Sequence, residues 1–209
     1  MERTEDTLGL VTQTSYDGNG NMTETIDRRG VTTVNEYDSL NRLETVTVSG
    51  AFGPEQVVST FGYDDVGNKL FETDVHHHRT GFEYDDLYRV ETRTLPTNHT
   101  ESFTYDLVGN KKSETDANGE LTQFEYDALN RLILLTDAEG NQVKFEYDES
   151  GNPILEEDLT RRLKTETDHD LLNRPLSRLV SSVADDFSYL STFEYEDSTH
   201  TVIVTDPRN

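Results

Sequence analysis

The dipeptide Tyr-Asp returns along this chain at Tyr16, Tyr37, Tyr63, Tyr84, Tyr105, Tyr126 and Tyr147, at gaps of 21, 26, 21, 21, 21 and 21 residues. Two degenerate copies follow, His169-Asp170 and Tyr195-Glu196, at gaps of 22 and 26. Self-similarity at a fixed period marks an array, in which each copy is one supersecondary unit completed by its neighbour. The chain is therefore expected to form one array of about nine repeats over residues 1–209.

Each copy has an internal grammar. Phe61, Phe82, Phe103, Phe124, Phe145 and Phe193 stand two residues before the Tyr. Strand side chains alternate with period two, so Phe-x-Tyr puts both rings on one face. Glu36, Glu83, Glu125, Glu146 and Glu194 occupy the middle slot, which makes the opposite face acidic. That is the alternation of a half-exposed antiparallel strand. Asp17, Asp38, Asp64, Asp85, Asp106, Asp127 and Asp148 follow the Tyr and open a turn.

Three residues past that Asp stand Gly20, Gly67, Gly109 and Gly151, alternating with Asn41, Tyr88, Asn130 and Asn173. Gly and Asn tolerate the positive φ of hairpin turns. Tyr88 does not, and a local adjustment is expected there. A second strand then runs into Asp-x-x-Gly, as at Asp27–Gly30, Asp116–Gly119 and Asp137–Gly140, a type I turn signal. One copy reads strand, turn, strand, turn. The two 26-residue gaps insert residues in the same place, near 48–57 and 180–190, and predict lengthened hairpins. The expected fold is all-β: antiparallel hairpins of about 21 residues pairing into one continuous twisted sheet.

Composition fits that reading. Leu, Ile, Val and Phe number 50 of 209 residues, close to the level at which high charge means disorder. Yet Thr numbers 28 and Tyr plus Phe 19, and these residues favour strands. The 18 basic against 42 acidic side chains give a net charge of −24. Like-charge repulsion excludes nucleic acid and anionic membrane surfaces as partners. With no Cys there is no disulfide framework and no thiol chemistry. No run reaches the length of an apolar membrane span. Met1 to Asp6 has no apolar signal-peptide core.

The pattern Tyr-Asp-x-x-Gly-Asn, then Thr-Asp-x-x-Gly, then Phe-x-Tyr-Asp resembles the RHS or YD repeat. Tyr105 to Gly119 and Tyr126 to Gly140 are the best copies. The resemblance runs from about Leu8 to Asn209. It departs from the pattern at His169, at Tyr195-Glu196, at Asn35 and Thr167 in the Phe slot, and at Leu95-Pro-Thr-Asn98. It implies a sheet spiralling into the wall of a hollow shell. In bacterial polymorphic toxins and insecticidal toxin complexes such shells enclose a toxic effector. In teneurin-type cell-surface proteins a related shell belongs to an adhesion molecule. Nine copies are fewer than such shells contain, so the chain is expected to be an open segment of a longer array. Its expected partners are the rest of the shell and the enclosed polypeptide, with self-association through the end strands. Its expected location is secreted or at the cell surface, as part of a longer chain of bacterial origin.

Sharper chemistry is weakly supported. The Asp ladder suggests Ca²⁺, but turn aspartates ordinarily accept backbone N–H bonds, and no EF-hand loop is present. His76-His77-His78 suggests zinc or copper, but consecutive turn residues are expected to point apart. The Phe/Tyr ladder suggests a sugar platform; burial of that face is the simpler expectation, with the Tyr hydroxyls bonded to backbone or water. Asn21-Met-Thr23 and Asn98-His-Thr100 fit the glycosylation pattern, one short enough to arise by chance. Asp206-Pro207 fills a turn slot. No nucleophile elbow, zinc-protease helix or phosphate loop is found, so no catalytic residue, metal or cofactor is assigned and the chain is not expected to be an enzyme. The expected role is a structural wall segment that encloses or presents an effector. The alternative is an adhesion or carbohydrate-binding surface near Phe52 and Phe187. The residues that define the repeat are Tyr16, Tyr37, Tyr63, Tyr84, Tyr105, Tyr126, Tyr147 and Tyr195, with the seven aspartates named above and Gly67, Gly109, Gly119, Gly140 and Gly151.

Overall fold

In a computed structural model, residues 2–5, 11–50, 54–196 and 201–205 are described. They fall into two compact units, Met1–Ser102 and Phe103–Asn209. The first holds β1 (Glu2–Glu5), β2 (Val11–Tyr16), β3 (Met22–Ile26), β4 (Thr32–Tyr37), β5 (Leu43–Ser49), β6 (Gln56–Tyr63), β7 (Lys69–Thr73), β8 (Arg79–Tyr84) and β9 (Val90–Thr94). It also takes the first half of β10 (Thr100–Tyr105). The second unit begins in β10 and holds β11 (Lys111–Thr115), β12 (Leu121–Tyr126), β13 (Leu132–Thr136), β14 (Gln142–Tyr147) and β15 (Pro153–Asp158). It ends with β16 (Leu163–His169), β17 (Pro175–Ser182), β18 (Phe187–Glu196) and β19 (Thr201–Thr205). Among the described residues there is no helix.

Within each unit the strands form an open antiparallel sheet, each paired with the next in sequence. In the first, Thr60 faces Thr73 and Phe71 faces Gly81. In the second, Phe145 faces Glu156 and Glu166 faces Leu179. Glu36, Glu83, Glu125, Glu146 and Glu194 are exposed while the Phe residues two before the Tyr and most of the repeat tyrosines are half-buried, as the period-two pattern requires. β17 and β18 pair from Ser177↔Thr192 out to Ser182↔Phe187, and β5 and β6 pair out to Val48↔Gln56. Residues 51–53, and with them Phe52, lie outside the described residues, as does Asp206-Pro207.

Two expectations need correction. The ring face is not a closed core. Among the described residues no apolar side chain is buried, and only Thr47 and Ser182 are, neither of them fully. A single layer gives each ring neighbours along its own face and none stacked above it. The rings are instead bridged by cations: Lys69 Nζ stands 5.9 Å from the Phe61 ring and 5.1 Å from Phe82. Lys111 does the same between Phe103 and Phe124, at 5.9 and 4.9 Å. Tyr88, for its part, forces no adjustment. It adopts φ +61° and closes the same turn as its sister copies, donating its N–H to Asp85 O at 2.9 Å.

The sequence pattern also gave no sign of a register shift at the repeat tyrosine. The ladder slips by one residue at Ser15/Tyr16, Glu36/Tyr37, Gly62/Tyr63, Glu83/Tyr84, Glu125/Tyr126 and Glu146/Tyr147. The same slip occurs at Asp168/His169. A bulge strengthens local twist and re-aims the side chain beside it. Here it sits where the Tyr crosses to the neighbouring hairpin.

Candidate functional site

The most ordered chemistry lies in the turns that follow each Tyr. Each is a type I turn closed by a residue at positive φ, the common three-residue hairpin with a bulge. Asp127 shows the plan. Its N–H donates to Arg131 O at 2.9 Å and its carbonyl accepts from Asn130 N–H at 3.0 Å. Its Oδ1 accepts from the Leu129 and Arg131 N–H groups at 2.8 and 3.0 Å. The side chain thus replaces a backbone acceptor that the turn would otherwise lack.

Oδ2 is gripped by the residue four positions on, and that residue alternates. Asn21, Asn68, Asn110 and Asn152 bond Asp17, Asp64, Asp106 and Asp148 at 2.8 to 2.9 Å. Arg42, Arg89, Arg131 and Arg174 bond Asp38, Asp85, Asp127 and Asp170 at 2.7 Å. The clamps also reach the next copy. Asn21, Asn110 and Asn152 each donate to the amide oxygen of Asn41, Asn130 and Asn173 at 2.9 Å. Arg42 donates to Asp64 O at 2.7 Å and its guanidinium lies 4.8 Å over Tyr63. Arg131 donates to Asp148 O at 3.1 Å and lies 4.7 Å over Tyr147.

The repeat tyrosines tie copies together by their hydroxyls. Tyr37, Tyr63, Tyr84, Tyr147 and Tyr195 donate to the carbonyls of Met22, Leu43, Lys69, Leu132 and Pro175 at 2.8 to 3.0 Å. Each acceptor opens the second strand of the preceding hairpin. Tyr16 stands 46% exposed at the start of this series. His169 occupies a Tyr slot, and its buried Nδ1 has no hydrogen-bond partner.

These contacts set the electrostatics. The Asn21 side chain, then its N–H, holds the Asp17 carboxyl below its usual range. The Arg131 N–H, then its guanidinium, does so for Asp127. At Asp64 and Asp106 burial is the largest influence and pulls upward, but the Asn68 and Asn110 contacts with the turn N–H groups outweigh it. The carboxylates are consumed by their own turns. Among the described residues no three His, Asp or Glu side chains converge on a point that could hold a metal ion.

Gly67, Gly109 and Gly151 take the positive-φ position of the turns after Tyr63, Tyr105 and Tyr147, and Gly119 and Gly140 that of the opposite turns. Six of the tips after the repeat position carry an exposed aliphatic residue two past the Asp, and Asn19 and Ser150 hold that slot in the other two. Leu40, Val66 and Leu87 do so in the first unit, at 60, 65 and 64% exposure, and Val108, Leu129 and Leu172 in the second. The opposite turns carry Arg29, His76, Asn118 and Glu139 in that slot. The lengthened hairpin of the second unit brings the Phe187 and Tyr189 rings to 5.1 Å.

Two features went unread in the repeat pattern. Gly62 stands in a slot that Glu holds in five other copies, and the Phe71 ring lies across it: a Cβ on Gly62 would sit 2.1 Å from Phe71 Cε1. The departure of Gly62 from Glu was the available signal. The second concerns the histidines. The His76 and His78 rings stand 5.7 Å from centroid to centroid, tilted by 52°.

Comparison with known proteins accords with this geometry. A family model described as RHS Repeat matches residues 16–55, 105–142 and 126–168. No curated protein matches the chain. Among solved structures, the crystal structure of TcdB2-TccC3 superimposes with a TM-score of 0.83 at 17% identity, covering 98% of this chain and 12% of that one. The Photorhabdus luminescens Tc holotoxin pore matches with a TM-score of 0.82 at 18% identity, with the same coverage. TcdB2-TccC3 without its hypervariable C-terminal region matches at 0.82 and 17%, again over 98% and 12%. The likeness therefore does not depend on that region. At such identity it establishes the fold, and the chain spans about an eighth of the length of the chains it matches.

Proposed function

From the premise that this chain is an RHS-repeat protein, we propose that it is a length of shell wall, a non-enzymatic array that encloses or presents an effector polypeptide. The observation that carries the reading is the system of contacts from one copy to the next. Five copies spend their Tyr hydroxyl, and five spend their Asn or Arg clamp, on a neighbour. Such a sheet gains cooperativity with length and devotes its polar groups to its own backbone. That suits a barrier better than a reactive surface.

The partners in this reading are further lengths of the same wall and the chain behind it. The aliphatic turn tips supply a lateral contact row, and the net charge of −24 keeps the wall in solution. End strands such as β19, with Val202, Ile203 and Val204 half exposed, supply pairing edges for the next hairpin or a second copy. The setting is a secreted or surface-displayed bacterial assembly. Support for it is the likeness to Tc toxin structures.

The test uses the full reading frame in which the chain occurs. Limited proteolysis should leave the polypeptide encoded beyond the array protected until the shell is opened by denaturant. Immediate cleavage of that polypeptide in the native assembly would refute enclosure. The Phe187–Tyr189 ring pair favours one second reading, a carbohydrate- or adhesion-binding hairpin. Glycan binding abolished by Phe187→Ala would establish that reading over a purely structural one.

A further inference from the structure

The turn joining β7 to β8 differs from its sisters in what it gathers. Asp74 Oδ1 accepts from the His76 and His78 N–H groups at 2.8 and 2.9 Å, as in the other turns. Its Oδ2 faces His78 Nδ1 at 3.0 Å. In a neutral imidazole this assigns the ring proton to Nδ1 and leaves Nε2 as a lone-pair donor. A carboxylate behind one ring nitrogen is also how proteins orient a metal-binding histidine.

His76 completes the arrangement. Its ring lies 5.7 Å from that of His78, tilted by 52°. With N–metal bonds of about 2.0–2.1 Å, two imidazoles sharing one ion place their centroids roughly 5–6 Å apart. His77, between them, adopts φ +61°, where the sister turns place Gly30, Gly119 and Gly140. That left-handed residue brings the side chains before and after it together. A cavity of about 240 Å³ adjoins the turn, lined among others by Phe61, Glu72, Asp74 and His78. The His78 and Asp74 side chains are 59 and 49% exposed, so an ion reaches them without any opening of the fold.

We propose that His76 and His78 form a two-histidine chelate for one borderline divalent ion, Zn²⁺, Ni²⁺ or Cu²⁺, with Asp74 orienting His78. Imidazole suits these ions, and Ca²⁺ and Mg²⁺ prefer oxygen. No third His, Asp or Glu among the described residues converges on the pair. Water therefore fills the remaining positions, and the affinity is modest.

The test titrates the full, tag-free chain with Cu²⁺, followed by calorimetry and electron paramagnetic resonance. One equivalent should bind with coupling to two imidazole nitrogens. His76→Ala and His78→Ala should each weaken binding by about 10-fold or more, and Asp74→Asn by about 10-fold. His77→Gly, which relaxes the backbone and keeps both donors, should leave affinity within about 2-fold, and His99→Ala likewise. Circular dichroism of each variant verifies the sheet. An unchanged affinity in His76→Ala and His78→Ala, or a spectrum of oxygen ligands alone, would overturn the site.

Discussion

Arg131 holds Asp127 at two points: its backbone N–H donates to Oδ1 at 3.0 Å and its Nε to Oδ2 at 2.7 Å. The same pair of contacts recurs in every Arg copy and, with an amide for the guanidinium, in every Asn copy. Asp127→Ala leaves two turn N–H groups without that acceptor. The thermal midpoint should fall by a few degrees, and Asp65→Ala, one residue past its own turn aspartate, should change it little. Equal effects would mean that the turn bonds contribute nothing beyond surface charge.

Acid should weaken the array through the same carboxylates. Their folded pKa values lie below the unfolded value, near 3.9. A depressed carboxyl contributes stability above its unfolded pKa and loses it as pH falls through the folded value. The urea midpoint should therefore hold from pH 7 to about 5 and drop steeply below about pH 4. Asp127→Asn should flatten that drop. A midpoint that rises on acidification would show that relief of charge repulsion dominates instead.

His169 offers a gain. Its Nδ1 is buried without a partner, in a slot where Tyr147 and Tyr195 donate to a carbonyl of the previous hairpin. His169→Tyr should stabilise the second unit by ~1 kcal/mol, measured by urea unfolding. Tyr147→Phe should cost a similar amount. Loss of stability in His169→Tyr would mean that the slot has been reshaped around imidazole.

Gly62 and Phe71 should behave as a coupled pair. Gly62→Glu restores the residue type of sister copies but drives a side chain into the Phe71 ring, at a cost of about 1–3 kcal/mol. In the background of Phe71→Ala most of that cost should vanish, which a double-mutant cycle reads directly. Additive costs would show that the ring does not occupy the glycine's space.

What sequence reasoning reached here was local and periodic. Tyr63, Asp64 and Gly67 lie within five residues, and their alternation, capping chemistry and φ preference all act within one hairpin. The Tyr-to-carbonyl bonds were legible only as a need for a partner, since Leu43 and Leu132 become acceptors through the placement of the preceding hairpin. The slip at Glu125/Tyr126 was not legible, because a bulge depends on how two strands pair and not on either alone. Nor was the meeting of His76 and His78, which follows from the left-handed His77 in a slot where Gly is usual. The ring face was misjudged for a different reason. Alternation shows which side chains share a face and says nothing of what covers it.

The alternation of the clamps governs how such an array can lengthen or shorten. Three of the four Gly-Asn copies donate an amide that the following Asn-Arg copy accepts at Asn41, Asn130 or Asn173, and after the fourth that slot holds Tyr88. The Arg of that copy then reaches the backbone of the next, as from Arg42 to Asp64 and from Arg131 to Asp148. Excising one hairpin would set two like copies side by side, a donor facing a donor's glycine or two guanidinium groups in succession. Excising two restores the alternation. The unit that can be removed or added without mismatching these contacts is therefore the doublet of two hairpins.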